Sequence, residues 1–478
     1  MPTTNGNRKI LDLKRWEMVT PLPAATVAGS FIASSRHYRQ QQLYLNGNTA
    51  AWLYNPSEDG YVALPSPALA GTFGVGAAGV AGAMSIGNAV SGASLTATGG
   101  TTSTIITNQN LQRDLRGYSV YIMGGPNAGA TLVIRSNTIG ANATITVDTQ
   151  ASAFTASTTY RLITPVWYVV GAGTLAAGSF RKYCLATNTW TSLSITNLPA
   201  SLGTDGRLIS TPSWMVNAYL AFASGTATAG GASTITNTAK AWTTNQWANY
   251  QVRIVSGTGA GQIRTIASNT LTQITVSAAW TTQPDATSVY SIEGNDDFLY
   301  YMGNNAVTMY RFSISANTWT VLSPTLARAG APGAGMSGHW VWNASTTDWT
   351  SENAIRNGQR IYSFRGAAGS ALDYYDIAAN TWVNGIGYAP NAETVAAGTK
   401  WCYAGDHIYF TKEATGRWFR LNVTTSEVDG WNTMLYPQGS AIAGDTAFDV
   451  SYIDGATRID YLYMALNTST VVLRQMVI

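Results

Sequence analysis

Hydrophobic and polar positions alternate with a period of two along most of this chain. The runs are short and end in Asn, Gly or Thr, which predicts strands joined by tight turns. The clearest unit runs from Tyr183 to Trp190, with an aromatic residue first, Leu185 two on, Asn188 five on and Trp190 seven on. It recurs as Phe312, Ile314, Asn317, Trp319 and as Tyr375, Ile377, Asn380, Trp382. Looser copies run from Tyr54 to Tyr61 and over Leu421, Val423, Ser426 and Val428. Each reads as a β-hairpin. Asn turns the chain, because its side chain bonds the backbone ahead and tolerates a left-handed conformation, and Trp opens the return strand.

A second aromatic strand precedes each hairpin: Leu43-Tyr44-Leu45, Trp167 to Val170, Leu299 to Met302, Ile361 to Phe364, Ile408-Tyr409-Phe410, and Tyr461-Leu462-Tyr463 near the C-terminus. A weaker strand comes before each of these: Ser30-Phe31-Ile32, a segment near Gly74, Trp214 to Ala223, His339 to Trp342, Lys400 to Tyr403, and Phe448 to Ile453. The unit is therefore four strands, repeated six times. The last copy ends at Val471 to Val477 without a return strand, whereas Arg15 to Val19 is a Trp-led return strand with no partner before it. The N-terminal strand is expected to complete the C-terminal unit, which would leave no open sheet edge between them. The expected fold is all-β: a six-bladed β-propeller closed by its N-terminal strand.

Two insertions interrupt the second and third units. The boundaries read as propeller over 9–87, 166–224 and 294–478, with one module at 88–165 and another at 225–293. The modules match each other. Gly117 to Ile122 aligns with Asn249 to Ile254, Asn127-Ala128-Gly129 with Gly259-Ala260-Gly261, and Arg135 to Thr138 with Ala267 to Thr270. Ile145-Thr146-Val147 then aligns with Ile274-Thr275-Val276, and Tyr160 to Ile163 with Tyr290 to Glu293. Both are expected to be small all-β modules, side by side on the face that carries the Asn-Thr turns. Removing either is expected to leave the propeller folded, since loop insertions cost little.

The order of aromatic strand, turn and Trp-led strand resembles kelch-type propeller blades over most of the chain outside the insertions. The Gly-Gly doublet of that family is absent: Gly171-Ala172-Gly173, Gly303-Asn304-Asn305, Gly366-Ala367-Ala368 and Lys412-Glu413 stand in its place. The modules, with runs such as Gly259-Ala260-Gly261-Gln262 and Ser268-Asn269-Thr270-Leu271-Thr272, resemble small β-modules of tailed-bacteriophage virion proteins. That resemblance implies a structural component of a virus particle, and propellers in phage tail hubs and nozzles add a tail or neck position by fold analogy.

Composition narrows the function further. Only 11% of residues are charged, and 16 Trp and 25 Tyr point to a large buried core. The net charge of +3 is spread thinly and leaves no footprint for nucleic acid. The basic residues Arg8, Lys9, Lys14 and Arg15 read as a solvated N-terminal segment. Met1 to Asn5 lacks the apolar run of a secretory signal. Ala70 to Ala93, though uncharged, is too weakly hydrophobic for a membrane span. Cys184 and Cys402 read as buried free thiols.

The candidate chemistry is sparse. His37, His339 and His407 lie at no metal spacing, and Cys402 with His407 lacks a third ligand. The acidic neighbours Glu58-Asp59, Asp296-Asp297 and Asp373 with Asp376 read as turn and strand-end acids rather than a glycosidase pair. Ser57 to Tyr61 matches the Asp-box turn of sialidase propellers only in part. No catalytic, cofactor-binding or metal residue is assigned, and no cofactor is expected. The expected function is that of a non-enzymatic virion structural protein of a tailed bacteriophage, made in the host cytoplasm. It would serve as a tail or neck hub, adaptor or fibre-attachment component. Its partners would be other virion proteins, in multiple copies of a symmetric assembly. The alternative is a carbohydrate-binding or glycan-cleaving propeller that recognises a host-surface glycan.

Overall fold

The computed structural model describes residues 16–27, 29–35, 41–70, 78–81, 94–203, 206–210, 221–295, 297–303, 307–329, 338–341, 360–365, 371–388, 401–404, 407–411, 417–422, 428–433, 447–452, 460–466 and 468–477. Among them there is no helix, and the chain is built of small antiparallel sheets.

Six four-stranded sheets carry the repeat. The first comprises Phe31–Ser34, Gln42–Asn46, Ala50–Asn55 and Gly60–Ala63. The second comprises Ala78–Ala81, Val166–Val170, Phe180–Cys184 and Thr189–Ser192, and the third Arg207–Ser210, Phe298–Met302, Met309–Ser313 and Thr318–Val321. The fourth is Gly338–Val341, Arg360–Phe364, Ala371–Asp376 and Thr381–Tyr388; the fifth is Trp401–Ala404, His407–Thr411, Arg417–Asn422 and Val428–Thr433. The sixth takes Ala447–Tyr452, Asp460–Ala465 and Val472–Val477 from the C-terminus and Glu17–Met18 from the N-terminus. The first strand of each sheet lies beside the first strand of the next, and that of the sixth lies beside that of the first.

The hairpin register follows the sequence pattern. Tyr183 pairs with Trp190, Phe312 with Trp319, Tyr375 with Trp382, Tyr54 with Tyr61 and Leu421 with Val428. The turn residues Asn188, Asn317, Asn380 and Asp59 all have positive φ, at 53°, 50°, 50° and 46°. The strand-end tyrosine holds the turn from inside: the hydroxyls of Tyr183, Tyr375 and Tyr54 donate to Asn188, Asn380 and Asp59 at 2.8, 2.7 and 2.7 Å. At the two ends, Glu17 pairs with Arg474 and Met18 with Leu473, a register that brings Trp16 opposite Gln475. Trp16 thus takes the position of the return-strand Trp.

The segment that leaves each return strand clasps the hairpin of the following sheet. Trp190 Nε1 donates to the Pro65 carbonyl at 2.8 Å and Trp319 Nε1 to the Ser194 carbonyl at 3.0 Å. Ser194 N–H donates to Asn317 Oδ1, and Asn380 Nδ2 to the Ser323 carbonyl, both at 3.0 Å. The N-terminal strand makes the same clasp, with Thr20 N–H donating to Asp59 Oδ1 at 3.0 Å. Burial raises the Asp59 pKa, but the hydrogen bonds from Tyr54 and Thr20 and the charge of Arg474 outweigh it and hold the carboxyl below its ordinary value.

Two expectations need correction. Arg207–Ser210, not Trp214 to Ala223, is the first strand of the third sheet, and Ala221–Thr226 pairs instead with Val289–Glu293. The latter strand satisfies its backbone groups inside an insertion, so a local apolar run did not predict its partner. Of the three return-strand tryptophans, which the repeat spacing puts in the blade core, Trp319 and Trp382 are buried at 1% exposure, but Trp190 is only half-buried. The segment near Gly74 lies outside the described residues, and Ala78–Ala81 supplies that strand.

Candidate functional site

The two insertions share one topology. The second forms a continuous seven-stranded sheet in the order Ala221–Thr226, Val289–Glu293, Gln251–Ser256, Ile263–Asn269, Gln273–Val276, Thr234–Thr236 and Ala229–Gly231. The first repeats this order as two sheets. One runs Leu95–Thr96, Thr159–Ile163, Ser119–Gly124, Thr131–Val133; the other runs Ser136–Asn137, Thr144–Thr146, Thr104–Ile106, Gly99–Gly100. Thr131–Val133 and Ser136–Asn137 together match Ile263–Asn269. Both modules shift register at the same place, between Ile122 and Gly124 and between Ile254 and Ser256.

Equivalent side chains do equivalent work. Asn137 Oδ1 accepts the Leu115 N–H at 2.7 Å, and its amide donates to the carbonyls of Arg113 and Thr138, both at 3.0 Å. Asn269 Oδ1 accepts the Trp247 N–H at 2.8 Å, and its amide Nδ2 donates to the carbonyls of Thr243 and Thr270 at 2.9 and 2.8 Å. These six bonds satisfy backbone groups that the turns leave unpaired.

Both modules are seated on the hairpin-turn face. In the first, Gln112 N–H donates to the Ala186 carbonyl at 2.8 Å, Arg113 to Asn188 Oδ1 at 3.1 Å, and the Tyr118 hydroxyl to Gln41 Oε1 at 2.6 Å. In the second, Asn249 donates to the Ile377 carbonyl at 3.4 Å and accepts from Arg311 at 3.0 Å. Each module also shares a continuous apolar cluster with the sheets beneath it: Tyr160 and Leu162 join Trp167 and Phe180, and Tyr250 and Ile292 join Tyr300 and Trp382. Seating of this kind holds the modules as fixed platforms.

The modules also pack on each other. A Cβ at Gly129 would overlap the Val255 carbonyl oxygen, and a Cβ at Gly261 would overlap the Met123 carbonyl oxygen. Gly129 aligns with Gly261 and Met123 with Val255, so the contact is reciprocal, as across a local two-fold axis. Both glycines have positive φ, 88° and 89°, and backbone meets backbone at these points. Beside them the Arg253 guanidinium lies 5.0 Å from the centroid of the Tyr121 ring. Arg253 also makes two bonds to Glu293 Oε1, from Nε at 2.9 Å and Nη2 at 2.6 Å. Glu293 and Tyr121 are 0% exposed, Arg161 2% and Arg253 9%. Burial pushes the Tyr121 phenol up to about 12, against the pull of the Arg253 charge. The sparse charge of the chain, 11% of residues, did not single out this buried group. The aligned segments Tyr160 to Ile163 and Tyr290 to Glu293 were the one available signal, since they differ in charge at two positions.

The residues weighed for chemistry are dispersed. Cys184 is a buried free thiol. Asp59 and Asp376 serve turns, the latter accepting the Ala379 N–H at 2.9 Å. Asp297 caps a strand end, accepting from Ser313 and Ser315 at 2.6 and 2.7 Å. Asp373 departs from the turn-acid expectation. It is fully buried between Arg328, at 3.1 Å, and Arg365, at 2.7 Å, and it accepts the Gly385 N–H at 2.8 Å. Its place in the middle of a strand, facing inward, explains why it needs two cations. Among the described residues no three His, Cys, Asp or Glu side chains come together as a metal site. No helix of the described residues is long and apolar enough to cross a membrane. His37, the Arg8 to Arg15 basic segment, Asp296 and Lys412-Glu413 lie outside the described residues, as does Ala70 to Ala93 apart from Ala70 and Ala78–Ala81.

The large apolar side chains exposed among the described residues are all aliphatic or Met. Two of the most exposed, Ile139 at 65% and Leu271 at 59%, occupy equivalent turns of the two modules.

No protein-family model matches the chain, and no curated protein matches it. Among solved structures, a fucose-specific lectin from Aleuria aurantia aligns over 92% of this chain and 93% of its own length, at 8% identity and a TM-score of 0.37. A likeness of that size carries no argument about what this chain binds.

Proposed function

We propose that the chain is a non-enzymatic structural protein of a tailed-bacteriophage virion. In this reading the six sheets are the blades of a propeller closed by the N-terminal strand, and the paired modules make the protein–protein contacts. Ring closure is supported by the Glu17 to Arg474 pairing, by the neighbouring of first and sixth sheets, and by the Thr20 to Asp59 clasp, which repeats the clasps between other sheets. The observation that carries the function is the double module itself, seated by hydrogen bonds on the turn face and presenting Ile139 and Leu271 from matched turns. Rigid, duplicated and sparsely charged outer turns suit attachment to a neighbouring subunit. The modules' resemblance to phage β-modules supplies the virion setting.

Glycan recognition has less support. Sugar platforms need exposed aromatic faces, and the aromatic side chains whose burial the structure describes are buried or half-buried. The test is to label the protein in infected cells and image purified particles, with glycan-array binding of the purified chain in parallel. Label at one symmetric position and a blank array support the reading. Particles without label, or an array signal abolished by excess sugar, would overturn it.

A further inference from the structure

The module face that carries Gly129 and Gly261 is self-complementary in backbone, so geometry alone would let any two such modules pair. The side chains on that face are not equivalent. Tyr121 of the first module aligns with Arg253 of the second, Arg161 with Ser291, and Ile163 with Glu293. Because Tyr121 and Arg253 are equivalent and face each other at 5.0 Å, they straddle the local axis.

We propose that this face is a pairing surface specific for an unlike module: Arg161 of the first module meets Glu293 of the second, and a second copy of either module is refused. The three pairings that the backbone permits differ in their buried charges. Two first modules would bury two copies of Arg161 with no carboxylate on the face. Two second modules would set Arg253 against Arg253 across the axis. In the unlike pair Arg253 meets the Tyr121 ring across the axis instead of a second guanidinium, and it keeps the Glu293 carboxylate of its own module at 2.6 Å. Arg161 is the cross-strand partner of Tyr121, and Glu293 holds the guanidinium that lies against the same ring, so the three charges gather around Tyr121. At 0–9% exposure, an unmatched charge among them costs far more than it would at the surface. Copies of the chain in an assembly would therefore not cross-link through like modules, and each would present one closed double module.

Exchanging the faces in the intact chain tests this. Arg253→Tyr, Ser291→Arg and Glu293→Ile together give the second module the face of the first. This chain is expected to unfold at least a hundredfold more readily by equilibrium urea titration. Adding the converse set, Tyr121→Arg, Arg161→Ser and Ile163→Glu, restores an unlike pair and is expected to recover stability to within about tenfold of the native chain. If the six-fold variant is instead as unstable as the two sets combined additively, the pairing rule is wrong. Should a triple variant fail to fold, the milder cycle of Arg161→Met, Glu293→Gln and both together decides the matter. Coupling of about fivefold or more in the unfolding constant supports contact across the interface, and additivity within about twofold refutes it.

Discussion

The two modules are the same fold solved twice, and they differ in instructive places. Positions 117, 125, 127 and 129 have positive φ in the first, and 249, 257, 259 and 261 in the second. Only Gly and Asn occupy them, and they exchange freely: Asn127 stands opposite Gly259, and Gly117 opposite Asn249. Backbone demand is fixed while residue identity drifts within the set that can meet it. The core tolerates larger exchange, with Leu115 in the first module where Trp247 stands in the second. The pairing face shows a third behaviour. There the glycines are kept and the charges differ, because contact needs the same backbone on both sides and recognition needs unlike side chains.

The comparison can be broken most forcefully at the shared glycines. Gly261→Val combines a left-handed backbone with overlap of the Met123 carbonyl, and a loss of about 3–5 kcal/mol is expected from chemical denaturation. Gly259→Asn, which installs the residue of the first module but displaces the Gln262 amide beside it, should cost less, about 1–2 kcal/mol. Equal losses for the two would mean that backbone contact between the modules is not what the glycine protects.

Trp247→Leu tests whether the cores are interchangeable. The second module is built around the indole, so Leu leaves a cavity and should cost about 2–4 kcal/mol in the same measurement. A neutral result would show that the two cores fill alike.

Asn137→Ala and Asn269→Ala should each cost about 1–3 kcal/mol, since each unmakes three bonds to backbone. Near-equal values sharpen the equivalence; a difference above about 2 kcal/mol would break it.

The smallest effect concerns Tyr121, which has Arg253 in its place in the other module. Its pKa is raised to about 12 in the fold, above the ordinary phenol value of about 10. The proton is thus held more tightly folded than unfolded, so this contribution is complete below about pH 10 and is lost as pH rises towards 12. Tyr121→Phe should therefore flatten part of the stability loss between pH 10 and 12. An unchanged slope would remove Tyr121 from the titrating groups of the interface.

Deletion of a whole module is a coarser tool than the sequence suggested. Each module shares its apolar cluster with the sheets below and packs on its twin. Excising one would expose both surfaces, so an inserted segment of this kind is not a free loop.

Much of this architecture was legible in the chain. The aromatic-Asn-Trp spacing specifies hairpin and register together, because strand periodicity and the left-handed turn are local properties of a few adjacent residues. The match between 117–137 and 249–269 was equally visible, since equal backbone conformations require equal patterns of Gly and Asn. The Trp-led strand at Trp16 announced its partner in the same way. Other features were decided only in three dimensions. Trp190 and Trp319 have the same local sequence, yet one is half-buried and the other fully buried, because burial depends on which neighbour covers the return strand. Arg207–Ser210 took the place expected of Trp214 to Ala223, because Ala221–Thr226 found a partner in Val289–Glu293, nearly seventy residues on. Glu293 and Arg161 looked like ordinary charges in two separate insertions. Their meaning depends on desolvation at a contact between modules, a long-range property that no local pattern of residues encodes.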